Sequence, residues 1–272
     1  MQLRVLALPV LACAALSAQA DVSVTSSSFS YAQNFNTLGT HAADTGNGGT
    51  IYTNWVNNST IQGWSWLKSD GTGTTSYIAD ASRGGYGALA YFHALGAAGS
   101  TDRSMGILTA AGDDTTGFMA LSLKNNSGSS LGSFTLGYAG EQWRQGTSNM
   151  PNMLTVEYGF GSSFTGVTNW TAAGAGFNFS TPVQGGTTVA SVDGNAAGYV
   201  SGLGGTVSGL NWNNGDTLWI RWTALATDQA DSMGIDDVTL SVAAAVPEPS
   251  SYALMLAGLG AVGLLLRRRR SA

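Results

Sequence analysis

The chain has 272 residues, 38 of them glycine, and only 10% are charged against the roughly 25% usual for a globular domain. Its formal net charge of -5 lacks the basic footprint of a nucleic-acid binder, so no nucleic-acid partner is expected. A hydrophobic fraction of 43%, with eight Trp, nine Tyr and nine Phe to bury, excludes a natively disordered chain.

The first element is a targeting segment. Arg4 precedes an apolar run from Val5 to Leu16, which closes on Ala18-Gln19-Ala20 before Asp21. A positive start, a short apolar stretch and an A-x-A site define a secretory signal helix over residues 1–20, cut after Ala20. Leu11 stands where a lipoprotein cleavage site prefers a small residue, so Cys13 is expected to leave with the signal. It is the only cysteine, and the exported chain then holds no disulfide and no thiolate metal site.

Residues 21–245 form the ectodomain. They carry 15 Asp and Glu against 6 Lys and Arg, a net charge of -9, and such a surface repels anions and collects cations. Apolar residues alternate with polar ones in Phe134-Thr135-Leu136-Gly137-Tyr138 and in Leu154-Thr155-Val156-Glu157-Tyr158-Gly159-Phe160. Leu218, Ile220 and Trp222 alternate with Trp219 and Arg221, and Val238-Thr239-Leu240-Ser241-Val242 repeats the pattern. A period of two marks half-buried antiparallel strands. Asn125-Asn126-Ser127-Gly128 and Asn213-Asn214-Gly215-Asp216 supply turns, because Asn and Gly tolerate positive φ. The weakly patterned stretch from Thr171 to Gly209 reads as long loops. The expected fold is all-β, a two-sheet antiparallel sandwich of jelly-roll type. No fixed repeat supports a propeller or a solenoid.

Two readings of Glu141, Trp143 and Arg144 are open. In one, Glu141 is an acid or nucleophile toward a sugar and Trp143 a stacking platform. Glycosidases need a second carboxyl, and the only other glutamate in the body is Glu157. In the other, favoured by the low charge fraction, Glu141 and Arg144 form a strand-end ion pair capped by Trp143. Trp66, Trp143 and Trp170 are the candidates for stacking on sugar rings. Asp228, Asp231, Asp236 and Asp237 are candidate calcium ligands, but their spacing is not that of an EF-hand, and solvated turns are the favoured reading. Asp113-Asp114 and Asp193-Gly194-Asn195 are two further acidic turns. No other cofactor is expected. Gly128-Ser129-Ser130-Leu131-Gly132 matches G-x-S-x-G but lies between two strands rather than on a strand-to-helix elbow. With only His41 and His93 present, a hydrolytic triad is not expected. His93 reads as a core or edge histidine in a strand.

At the C-terminus, residues 246–272 have three parts. Val246-Pro247-Glu248-Pro249-Ser250 is followed by an uncharged run and then by Arg267-Arg268-Arg269-Arg270. The run is short for a bilayer span, but residues 250–266 suffice with local thinning and arginine snorkelling. The arginines would stay cytoplasmic and leave the body outside. Gly258-Leu259-Gly260-Ala261-Val262-Gly263 spells G-x-G-x-x-G without the preceding strand that dinucleotide binding requires.

This tail resembles the PEP-CTERM sorting signal of Gram-negative bacteria. The resemblance implies export, transient anchoring in the inner membrane with the body in the periplasm, and processing near the Pro-Glu-Pro by an exosortase. Delivery to the cell surface or extracellular matrix would follow. Gly63-Trp64, Arg103-Ser104-Met105-Gly106 and Tyr138-Ala139-Gly140-Glu141-Gln142-Trp143-Arg144 resemble a group of exported PEP-CTERM proteins without an assigned activity. Gly234-Ile235-Asp236-Asp237-Val238 is similar to the last strand of concanavalin-like jelly rolls. The expected function is that of a cell-envelope or extracellular-matrix protein without catalysis. A carbohydrate-binding module or polysaccharide-active enzyme on the same scaffold, with an extracellular polysaccharide as partner, is the alternative. The Thr-x-Thr ladders of an ice-binding face are not found along any one strand.

Overall fold

A computed structural model describes residues 20–42, 49–81, 92–108, 117–147, 149–224, 231–245 and 254–259. Ala18, Asp113, Asp114, Asp228, the segment Val246 to Ser250 and Arg267 to Arg270 lie outside the described residues.

In chain order the strands are β1 (Val22–Val24), β2 (Ser30–Gln33), β3 (Thr50–Tyr52), β4 (Trp64–Leu67), β5 (Tyr77–Asp80), β6 (Phe92–Leu95), β7 (Ser104–Leu108) and β8 (Gly117–Asn125). They continue as β9 (Leu131–Gln145), β10 (Met153–Phe160), β11 (Thr171–Ala172), β12 (Phe179–Ser180), β13 (Ala190–Ser191), β14 (Tyr199–Trp212), β15 (Thr217–Ala224) and β16 (Ser232–Ala244). Each alternating run read from the sequence lies inside one of these strands. Both Asn-Gly turns form as expected: Gly128 and Gly215 have φ of 78° and 93°, and Asn125 Oδ1 accepts from the Ser127 amide at 3.0 Å.

Two sheets pack face to face. In the first, β8, β15 and β10 form the centre, β1 and β4 share the free edge of β8, and β11 and β12 share that of β10. In the second, β9 and β16 form the centre. There β13 and β14 flank β9, while β2 and β7 flank β16, with β6, β5 and β3 continuing beyond β7. The architecture is the expected two-sheet sandwich, but it is not wholly antiparallel. β1 runs parallel to β8 and β5 parallel to β6. Neither pair is joined by a tight hairpin, so nothing forces its two strands to reverse.

The core lies between the inner faces. Trp222 on β15 stacks on Trp64 of β4 with centroids 5.5 Å apart and meets Tyr138 of β9 edge-on at 5.6 Å. Trp66 is 0% exposed, packed between Trp55 at 4.3 Å and Tyr77 at 5.2 Å. A smaller cluster of Leu67, Phe118, Ala120, Val167 and Trp219 covers part of the outer face of the first sheet.

β14 corrects the loop expected from Thr171 to Gly209. Its pairing with β9 slips between Val200 and Leu203 and again between Ser208 and Trp212. Gly202, Gly204, Gly205 and Gly209 have positive φ there, and such bulges erase the alternation that marks a strand. Of the expected membrane segment the structure describes 254–259, which are helical. No helix among the described residues is long and apolar enough to cross a membrane.

Candidate functional site

Trp143 is an extra residue in β9. Arg144 pairs with Ser232 and Gln142 with Met233, so two residues of β9 oppose one step of β16. The bulge turns the Trp143 indole back onto Glu141, whose Oε2 accepts from Nε1 at 2.7 Å. Trp143 is 3% exposed, under Gly194, where any Cβ would come within 2.2 Å of the ring. The expected Glu141–Arg144 ion pair is not formed. Arg221 pairs with Glu157 at 2.7 Å, and the His93 Nδ1 lies 3.4 Å from the Asp80 carboxyl. The Arg144 guanidinium instead feels the carboxylates of Asp231 and Asp80.

Register places a second carboxyl beside Glu141. Gly234 of β16 pairs with Glu141 and Asp236 with Ala139, so Glu141 and Asp236 are diagonal neighbours on the outer face of the second sheet. They are 2% and 4% exposed. Burial pushes Glu141 up to about 7 against the pull of the Trp143 and Ser104 side chains. Burial likewise pushes Asp236 up to about 8, opposed by the Asp237 amide that donates to its Oδ1 at 2.7 Å. Asp102 and Asp237 raise both further. Asp102 is tied across the surface by Asn195 Nδ2 at 2.9 Å.

Of the candidate calcium ligands, Asp228 lies outside the described residues and the other three fall at two places. Asp231 accepts from the Gly146 amide at 2.7 Å at the far end of β9, whereas Asp236 and Asp237 stand beside Glu141. Among the described residues no three His, Cys, Asp or Glu are placed to hold a metal ion.

Next to the carboxyl pair the outer face opens into a trough of about 470 Å³, walled by Tyr199, Ser201, Asp237 and Thr239. Glycines 137, 202, 204 and 205 form its floor, so a ligand can lie close to the backbone. Tyr199 pairs with Glu141 across β14 and β9 and is 40% exposed. Burial and the surrounding carboxylates push its hydroxyl above the ordinary phenol value. Asp237 sits at the slip between Asp236 and Thr239 with φ 49°, and this bulge turns its carboxylate outward. Beyond the trough Thr206, Thr135, Ser241 and Ser30 form one exposed row across four strands. The hydroxyls of Thr135 and Thr206 are 2.8 Å apart.

Of the tryptophans singled out for stacking, Trp66 belongs to the core and Trp143 is sealed beneath Gly194. Neither presents a ring face to solvent. Trp170 is half-buried on the opposite side of the molecule, with the Arg221 guanidinium 4.0 Å above its ring. Arg221 is held there by Glu157 through Nε at 2.8 Å. Replacing Arg221 by Met is therefore expected to leave Glu157 with only the Thr223 hydroxyl at 3.4 Å and to lower stability by roughly 1 kcal/mol, as chemical denaturation would show. Tyr199, which sequence reasoning missed, stands in the glycine-rich stretch read as loop.

Residues 245–270 match the PEP-CTERM protein-sorting motif. The chain is thus an exported protein with a C-terminal membrane-anchoring sorting signal. No curated protein matches it. Among solved structures it is similar to the CBM22-1 xylan-binding domain of Paenibacillus barcinonensis Xyn10C, at 12% identity and a TM-score of 0.37 over 82% of this chain and 100% of that one. It is also similar to the K3 cleaved adhesin domain of Lys-gingipain from Porphyromonas gingivalis, at 13% identity and a TM-score of 0.38 over 68% and 96% of the two chains. Likenesses of this strength bear on neither ligand nor site.

Proposed function

We propose that this is a cell-envelope or extracellular-matrix protein that binds neutral polysaccharide. It is exported by residues 1–20, held in the inner membrane through residues 250–266 with its body outside, and processed near Pro247-Glu248-Pro249 by an exosortase-type enzyme. Residues 21–245 then act at the cell surface or in the matrix.

The observation that carries the binding reading is the trough beside Tyr199. An exposed aromatic ring matches the C–H face of a sugar. Asp237, Ser201 and Thr239 offer hydrogen-bond partners to its hydroxyls. The net charge of -9 disfavours anionic glycans and so selects neutral ones. Glu141 and Asp236 lie beside the trough, not in its lining; at 2% and 4% exposure they are out of reach of a glycosidic bond.

Two measurements test the location. The mature chain is expected to begin at Asp21, read by N-terminal sequencing. Deleting residues 246–272 should shift the protein from the membrane fraction to the soluble one; unchanged fractionation would contradict anchoring. The site is tested by Asp237→Arg, which should weaken neutral-glycan binding and admit acidic glycans on an array. An unchanged array profile would remove the trough from the account.

A further inference from the structure

A second concavity lies on the outer face of the first sheet. Residues 55–58, 71, 73–75 and 162–165 line an open groove of about 570 Å³, within the range of about 300–1,000 Å³ typical of ligand sites. Leu67, Trp219 and Phe164 give it an apolar surface. The Trp219 indole N–H is already committed to Gly161 O at 3.1 Å, so that ring contributes carbon to the groove rather than a donor.

The walls are polar and fixed. Asn57 accepts from the Trp66 amide at 3.0 Å and donates to Trp66 O at 3.1 Å, which pins its segment to β4. Gly71 has φ 78°, and a Cβ there would come within 2.6 Å of Thr165, so glycine is what lets the two walls meet. Thr75 and Ser162 place hydroxyl-bearing side chains on the exposed rims. The one ionisable side chain is Asp21, whose carboxylate already accepts from Asn58 Nδ2 at 3.1 Å and Thr217 Oγ1 at 3.3 Å. An apolar surface between hydroxyl and amide walls, with its single carboxylate already engaged by Asn58 and Thr217, complements an uncharged ring edged by hydroxyls.

We propose that this groove is a second site for neutral polysaccharide. It rests on the reading that the sandwich binds such chains. The groove opens from the outer face of the first sheet and the Tyr199 trough from that of the second, so the core lies between them. Two sites facing opposite ways cannot grip one short stretch of glycan. Each protein instead bridges two strands, and its function is to cross-link a polysaccharide matrix, with avidity set by the strands it joins.

The test uses the full exported chain with a soluble neutral glucan and short oligosaccharides cut from it. Titration of the wild type with oligosaccharide is expected to give two sites per chain, and mixing with the polymer should raise light scattering. Thr75→Trp fills the groove from its exposed rim; Ser162→Trp does so from the opposite rim. Each should retain the wild-type melting temperature, bind one oligosaccharide and abolish the scattering. Tyr199→Ala should also leave one site, the groove. Two sites remaining in both groove-filled variants would overturn the proposal. One site in the wild type that survives Tyr199→Ala and is lost in Thr75→Trp would place binding in the groove and overturn both cross-linking and the trough. One site lost only in Tyr199→Ala would overturn the groove and leave the trough intact. Scattering that develops without glucan in the wild type and is lost in Thr75→Trp would assign the groove to a second copy of the chain and also overturn the proposal.

Discussion

Trp66→Ala is expected to destabilise the protein by roughly 3–5 kcal/mol, the range for removing a large aromatic from a packed core. The ring touches Trp55, Tyr77 and Phe92, with centroids between 4.3 and 5.8 Å away. Its loss opens a cavity bounded by both sheets, because Trp55, Tyr77 and Phe92 are all packed against the same core. The neighbours sit on β5, β6 and the 53–56 segment, so no single side chain can collapse into the space. By contrast, Tyr199→Ala removes a half-exposed ring at a sheet edge and should change stability by less than about 0.5 kcal/mol. Urea denaturation of the two variants separates the roles. Equal losses would mean that Tyr199 is structural too.

The second large effect is pH dependence. Glu141 and Asp236 hold their protons to about 7 and about 8 in the folded chain, against ordinary values of 4.5 and 3.8. Between those limits the folded state binds protons that the unfolded state has released, so stability falls as pH rises. The stabilising contribution is complete below about pH 4 and is lost as pH climbs through 7 and 8. Each tenfold gain in proton affinity is worth about 1.4 kcal/mol, so the two carboxyls together make a difference of several kcal/mol. The charged groups that act on the pair are all acidic: Asp102 and Asp237 raise both carboxyls and Glu141 raises Asp236, opposed only by hydrogen bonds from Trp143, Ser104 and the Asp237 amide. The melting temperature should fall steadily from pH 5 to pH 9. In Glu141→Gln/Asp236→Asn the fall should vanish, with the variant more stable than the wild type at pH 9. A wild-type profile flat over that range would mean that the two carboxyls are ionised in the fold.

The frame of the sandwich was legible because β9, β10, β15 and β16 each carry an alternating run whose apolar residues face the core between the sheets. Trp222 and Arg221 sit side by side in sequence and on opposite faces of β15, as a period of two requires. The turns at Asn125 and Asn213 were legible because their chemistry is local. What was hidden depends on non-local pairing. A bulge does not announce itself in sequence, so Glu141 was matched to Arg144 by proximity, while the extra residue at Trp143 gave it a different partner. β14 was hidden by its glycines, and Tyr199 with it. The hydroxyl row Thr206–Thr135–Ser241–Ser30 runs across strands, where no linear pattern reports it. Trp66 and Trp143 looked like platforms because composition gives a ring's identity and leaves its burial open.

The most direct measurement is the affinity of the exported protein for a neutral oligosaccharide, by calorimetric titration at pH 6, for the wild type and for Tyr199→Ala in the Thr75→Trp background. With the groove filled, binding should reside in the trough alone, and the Tyr199 change should reduce it at least tenfold at unchanged melting temperature. Equal affinity with and without the Tyr199 ring would contradict the account.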